Sequence, residues 1–194
     1  MNSKEKKGTF PKLRFPEFRD VGEWEVKRLG EVCKITTGKL DANAMVDHGR
    51  YRFYTCAKEY YFIDKYAFDT EALLISGNRA YVGYVHYYKG KFNAYQRTYV
   101  LYKFKHNIIF IKYFLEQNLP KRIETEKKDG NTPYIVLSTL TDMKIFLPSL
   151  PEEQQKIADC LSSIDELIEL QTKKLELLKA HKKGLMQQLF PQEV

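Results

Sequence analysis

Cysteine is scarce and unpaired in this 194-residue chain: Cys33, Cys56 and Cys160 are odd in number and far apart, and no Cys-x-x-Cys occurs. That argues against a disulfide framework and a zinc ribbon, and fits a reducing, cytoplasmic setting. No uninterrupted apolar run reaches membrane-spanning length, and the polar, Lys-rich start has no apolar stretch behind it. Neither a membrane partner nor a signal sequence is expected. Gly-x-x-x-x-Gly-Lys and a strand-borne Gly-x-Gly-x-x-Gly are both missing, so nucleotide-driven chemistry is not encoded. The seven prolines never adjoin, which removes the Pro-Pro-containing catalytic loop of adenine methyltransferases. His48, His86, His106 and His181 share no metal-ligand spacing with one another or with cysteine. Glu25-Val26-Lys27 and Asp142-Met143-Lys144 resemble the tail of a nuclease site, but such tripeptides arise by chance too often to carry chemistry. The chain is therefore expected to have no catalytic residues, metal or cofactor of its own.

What it does hold is apolar and basic. Hydrophobic residues make up 43% and aromatic residues 14%, enough to bury the core of one domain with an appendage. The net charge of +7 is unevenly placed: residues 1–150 carry 26 Lys and Arg against 17 Asp and Glu, whereas 151–194 carry 6 against 8. A basic domain joined to a nearly neutral appendage suggests a polyanion for the first and protein for the second.

The appendage is a long amphipathic helix over 151–190. Ile157, Leu161, Ile164, Ile168, Gln171, Leu175, Leu178, Lys182, Leu185 and Leu189 follow in alternating steps of four and three, the spacing that keeps one stripe against a partner helix. Pro151 at the start, Glu152 and Glu153 in the first turn, Lys182 and Lys183 near the end and Pro191 beyond it have the correct polarity. Residues 152–189 would reach about 57 Å, against a radius of gyration of ~15 Å for the remaining domain. The helix is expected to overhang its domain and to need a helical partner.

Residues 1–10 read as a flexible tail, 11–150 as one globular domain and 191–194 as a second tail. Within the domain, 11–18 is an extended, Pro-punctuated segment, and Trp24, Val26 and Leu29 form a short apolar element ending at Gly30. Runs rich in β-branched and aromatic residues at 51–56, 60–63, 72–76, 81–88 and 97–104 predict strands. Tyr88-Lys89-Gly90-Lys91-Phe92 has the composition of a tight hairpin turning at Gly90. Residues 108–118 predict a helix stopped before Pro120, 121–128 a charged turn or short helix, and 134–137 and 143–147 a return to the sheet. The fold class is α+β, or mixed α/β, followed by one long helix of coiled-coil type.

Twelve of the fourteen tyrosines fall between residues 51 and 102, interleaved with Arg50, Arg52, Lys58, Lys65, Arg79, Lys89, Lys91, Arg97 and Lys103. A cationic, Tyr-rich sheet suits DNA, although most of these rings are expected to be sheet core. The loops discriminate better. Thr36-Thr37-Gly38-Lys39, Gly77-Asn78-Arg79-Ala80, Tyr95-Gln96-Arg97-Thr98 and Lys127-Lys128-Asp129-Gly130-Asn131-Thr132 each combine a cation or amide with turn-forming residues. Arg can bind guanine bidentately, Asn and Gln adenine, and Lys phosphate. The candidate DNA contacts are Thr37, Lys39, Lys58, Asn78, Arg79, Gln96, Arg97, Lys127, Lys128, Asn131 and Thr132.

These residues lead to a resemblance. Pro11-Lys12-Leu13-Arg14-Phe15-Pro16-Glu17-Phe18, followed by Trp24 and Leu29-Gly30-Glu31, resembles the start of a target recognition domain in the specificity subunits of type I restriction-modification systems. Leu73-Leu74-Ile75-Ser76-Gly77-Asn78 with Val82-Gly83 resembles its middle. Gly130-Asn131-Thr132-Pro133, Lys144-Ile145 to Pro148, Leu150-Pro151-Glu152-Glu153-Gln154-Gln155-Lys156-Ile157-Ala158 and Lys182-Lys183-Gly184-Leu185-Met186-Gln187-Gln188-Leu189-Phe190 resemble its exit.

The resemblance implies a subunit without catalytic activity that grips double-stranded DNA. It implies methyltransferase and restriction subunits as partners, with S-adenosylmethionine, ATP and magnesium belonging to them. The usual subunit has two recognition domains and two antiparallel long helices; one of each here implies a half-length form, expected to homodimerise through the helix stripe. A non-catalytic protein-interaction adaptor, using the coiled-coil helix and with an incidental basic face, is the alternative.

Overall fold

A computed structural model describes residues 9–126 and 133–190, in two units, Met1–Gln155 and Lys156–Val194. In the first unit a six-stranded mixed sheet has the order β2-β7-β5-β6-β3-β4, where β2 is Lys34–Thr37, β3 Tyr51–Tyr54, β4 Tyr61–Ile63, β5 Phe68–Ser76, β6 Val85–Ala94 and β7 Thr98–Tyr102. β1, Glu25–Arg28, pairs antiparallel with β8, Lys144–Leu147, in a separate two-stranded sheet. The helices here are α1, Leu29–Val32, α2, Ile108–Glu126, and α3, Leu137–Thr141.

β5 is central because Ala72, Leu73, Leu74, Ile75 and Ser76 are all buried, the continuous run of a strand covered on both faces. It pairs with β6 (Ile75 opposite Val85) and with β7 (Ser76 opposite Thr98). β3 joins the far side of β6 in parallel, Tyr54 opposite Ala94. The sheet is curled. Both ends of β6 meet the segment around the end of β3: near its start the His86 ring bonds the Ala57 carbonyl at 2.9 Å, and just past its end the Tyr95 amide donates to the Tyr54 carbonyl at 2.9 Å. Tyr54, Ala72, Leu74, Phe92, Ala94 and Val100 form one packed cluster, and Phe53, Cys56, Ile63 and Tyr95 a second.

Four local expectations need correction. Gly90 is not a hairpin turn but lies mid-strand opposite Thr70 at φ +136°, with Tyr88 packed beside its bare Cα; a strand glycine marks a bend as readily as an end. α2 runs through Pro120. Leu115, Leu119 and Ile123 bury one stripe across it, while Glu116 and Pro120 are exposed, where water can serve the carbonyl that proline leaves unbonded. Residues 134–137 form no strand, being anchored by single bonds at Ile135 before α3 begins. β8 returns to β1 rather than to the large sheet.

The final helix, α4, is continuous over Pro151–Leu189. Its first turn belongs to the first unit, and the conspicuous Glu153-Gln154-Gln155 there has structural work. Glu153 receives Arg14 and the Trp24 indole, Gln154 receives the Asn107 amide and donates to the Pro148 carbonyl, and Gln155 receives the Asn107 side chain. Asn107 in turn caps α2 by accepting from the Phe110 amide at 2.9 Å. In the second unit the stripe residues Leu161, Ile164, Ile168, Gln171, Leu175, Leu178, Leu185 and Leu189 are exposed, and Ile157 is half-buried.

Candidate nucleic-acid interface

Several loops close on one another at a rim of the large sheet, and the main chain ties them. Beyond β2, the Gly38 amide donates to the Thr98 carbonyl (3.2 Å) and the Leu40 carbonyl accepts from the Gln96 amide (2.9 Å). Beyond β5, the Gly77 amide donates to the Arg97 carbonyl (2.9 Å) and the Gly77 carbonyl accepts from the Ile135 amide (2.8 Å). The Thr98 amide closes a turn on the Tyr95 carbonyl at 2.8 Å, and the buried Cys56 thiol reaches the Arg97 carbonyl at 3.4 Å. Two glycines permit the approach: a Cβ on Gly38 would overlap the Ala94 carbonyl, and one on Gly77 would overlap the Arg97 carbonyl.

This arrangement brings together Thr37, Lys39, Lys58, Asn78, Arg79, Gln96 and Arg97. Thr37 is the last residue of β2 rather than part of a loop, because β2 takes its ladder from β7. Lys39, Lys58, Arg79, Gln96 and Arg97 are exposed, while Thr37 and Asn78 are half-buried. No described carboxylate forms an ion pair with Lys39, Lys58, Arg79 or Arg97, so their positive charge stays available. The Lys58 ammonium lies 5.4 Å from the centre of the Tyr81 ring, which ties the 56–58 segment to the turn carrying Arg79. Gln96 donates to Asp41 at 3.4 Å. Arg79 stands at φ +66°, a left-handed conformation that swings its side chain out of the extended path of β5. The Asn78 Oδ1 is buried without a hydrogen-bond partner among the described residues, an unsatisfied acceptor at the heart of the rim. Lys127, Lys128, Asn131 and Thr132 lie outside the described residues.

Such a rim presents forked and amide donors able to meet base edges, and ammonium groups able to meet phosphate. The tyrosines differ from expectation. Of the twelve between 51 and 102, Tyr54, Tyr95 and Tyr99 are buried, whereas Tyr60, Tyr61, Tyr66, Tyr81, Tyr84 and Tyr87 are exposed. Tyr61 and Tyr87 lie on β4 and β6, and the other four lie in the connecting segments beside these strands. Three cations lie over such rings: Arg52 at 4.1 Å over Tyr60, Lys91 at 4.9 Å over Tyr66 and Lys58 over Tyr81. Arg52 belongs to no motif, and its interleaving with tyrosine is the sequence signal that marks it.

Elsewhere the chemistry-bearing groups are occupied structurally. Glu25 pairs with Lys27 at 2.7 Å, which lowers the Glu25 carboxyl from its ordinary range, and Asp142 lies 3.6 Å from Arg28. Among the described residues, no three His, Cys, Asp or Glu side chains converge as a metal site. Burial pushes the Cys33 thiol up to about 12, away from the nucleophilic thiolate. No described helix is long and apolar enough to cross a membrane.

The family model for the type I restriction modification DNA specificity domain matches residues 22–180. The EcoDI specificity subunit of a type I restriction enzyme from Escherichia coli is 40% identical over 154 residues, covering 79% of this chain and 34% of that protein. The MjaVIII specificity subunit from Methanocaldococcus jannaschii is 30% identical over 196 residues, covering 94% of this chain and 44% of that protein. The chain thus spans less than half the length of either relative. The crystal structure of a type I restriction-modification S subunit from M. genitalium superposes with a TM-score of 0.70 at 19% identity, over 94% of this chain and 48% of that one, and shares its fold. With residues 22–180 of its 194 accounted for by the family model, the chain belongs to the family of type I restriction modification DNA specificity domains.

Proposed function

We propose that this chain is the DNA-reading component of a cytoplasmic type I restriction-modification system: it binds duplex DNA through the rim and does not itself cut or modify it. The observation that carries the reading is the convergence of Lys39, Lys58, Asn78, Arg79, Gln96 and Arg97 on one main-chain-bonded rim of a basic domain. Methyltransferase and restriction subunits are its catalytic partners, and S-adenosylmethionine, ATP and magnesium act on those subunits. The exposed stripe of α4 is the protein-facing surface. In the absence of a longer subunit it pairs with the same stripe of a second copy, antiparallel about Gln171, with an unburied Leu175 and Leu178 on either chain supporting that reading.

Fluorescence anisotropy with duplex DNA over a salt series tests the reading. Binding that weakens steeply and linearly in log affinity against log salt is expected. Absence of binding at low salt would leave a protein-interaction adaptor instead, and magnesium-dependent DNA hydrolysis by rigorously purified protein would remove the non-catalytic assignment.

A further inference from the structure

We propose that Arg52, on β3 and roofed by Tyr60 from the segment that also carries Lys58, forms a preorganised phosphate-binding site that takes a phosphodiester of duplex DNA irrespective of sequence. The inference rests on the reading that this chain binds DNA. Arg52 is half-buried on β3, its guanidinium 4.1 Å from the centre of the Tyr60 ring and 4.5 Å from that of Tyr88. Its Nη1 donates to the Tyr54 hydroxyl at 3.4 Å. Its cross-strand neighbours are Phe62 on β4 and Phe92 on β6. No described carboxylate pairs with it.

Ring faces satisfy the flat sides of a guanidinium but leave the N–H fork along its edges, and only one bond of that fork is used within the described residues. The fork fits two oxygens of one anion, as a phosphodiester presents them. Because the aromatic cage already fixes the side chain, little rotamer freedom remains to be lost when the anion arrives. The excess of Lys and Arg over residues 1–150 favours a polyanion over an isolated carboxylate. The rings make no distinction among bases, so the contact anchors and does not read.

Anisotropy titrations of a mixed-sequence duplex against salt, with wild-type protein, R52M and R52K, test this. R52M should make the log–log slope shallower by about 0.9, the contribution of one phosphate, with affinity falling by the same factor for every duplex. R52K, which keeps the charge, should restore most of the slope. An unchanged R52M slope, or a loss confined to one sequence, overturns the proposal while leaving DNA binding intact. If wild-type protein binds no duplex, the proposal and the reading beneath it both fall. Should R52M fail to fold, phenylglyoxal labelling of the wild type followed by mass spectrometry decides: saturating duplex should protect Arg52 and inorganic phosphate at equal ionic strength should not. Undiminished labelling of Arg52 in saturating duplex refutes the site, and equal protection by inorganic phosphate refutes its assignment to DNA.

Discussion

Arg14 and Glu153, 139 residues apart, meet as a bidentate ion pair, Nε to Oε1 and Nη2 to Oε2 both at 2.7 Å, with side chains 7% and 0% exposed. The Trp24 indole adds a third donor to Oε1 at 3.2 Å, and Arg14 Nη1 reaches the carbonyls of Val21 and Gly22. The pair fastens the opening segment to the first turn of α4. Removing one partner strands a buried charge, so R14M should cost about 3–5 kcal/mol in urea unfolding. A paired change, R14M with E153L, should recover part of that loss, and a cycle without recovery would show that the two residues act independently.

Gly38 and Gly77 set how closely the rim loops approach. G38A must push the loop off the Ala94 carbonyl and should cost about 1–3 kcal/mol, with weaker DNA binding. Gly22 has nothing within 4 Å of its missing Cβ. G22A should be close to neutral in both measurements, which controls for the loss of glycine flexibility.

Arg79 sets stability against the recognition proposed for it. R79G relieves a left-handed backbone and should raise unfolding free energy by about 1 kcal/mol, yet it should weaken DNA binding as R79A does. If Arg79 or Arg97 reads a base, its alanine variant should lose about 1–3 kcal/mol at one base position. K39A should weaken all duplexes about equally. Unaltered affinity and preference in both arginine variants would move the reading face elsewhere.

His86 predicts a stability change with pH. Burial lowers its pKa, with the bond to the Ala57 carbonyl opposing, so the folded protein holds a neutral ring. The unfolded chain protonates near the ordinary value of about 6.5. Stability from this residue is therefore complete above about 6.5 and declines as pH falls from there toward the lower folded pKa. H86Q, which keeps a donor for Ala57, should flatten the decline below about pH 6.5, leaving the share of His106, also lowered by burial. An identical decline in H86Q would assign the effect to other groups.

Self-pairing through α4 should appear in light scattering as twice the chain mass, and Leu175→Asp with Leu178→Asp should give monomers. A wild-type monomer at concentrations on the order of tens of micromolar would reject self-pairing.

The sequence made different parts of this molecule legible for physical reasons. The long helix was readable because its periodicity is local, with no proline after the first residue and only Gly184 near its end, and β5 because a strand buried on both faces is one apolar run. β2 was not, since Lys34-Ile35-Thr36-Thr37 has a single apolar side chain and owes its existence to β7. Pro120 and Gly90 misled because local breakers were overridden by a buried stripe and a curled ladder. The rim residues stood out as cations and amides beside turn formers, but their convergence comes from main-chain bonds between distant segments. Arg52 was less legible: Tyr54 and Tyr60 lie close to it in sequence, but Tyr88 is brought over it only by the pairing of β3 with β6.

At the rim the contacts that hold the loops are amides and carbonyls, with a hydrogen atom in place of a side chain at positions 38 and 77. The scaffold is therefore nearly blind to which side chains stand at Lys39 and Arg97. Exchanges at such exposed positions leave folding free energy almost unchanged, so if the rim reads DNA as proposed, one target word can give way to another by single steps along a nearly level stability surface. On that reading the pair of glycines is what the rim cannot exchange without moving its main chain, and the vocabulary written around them is free to drift.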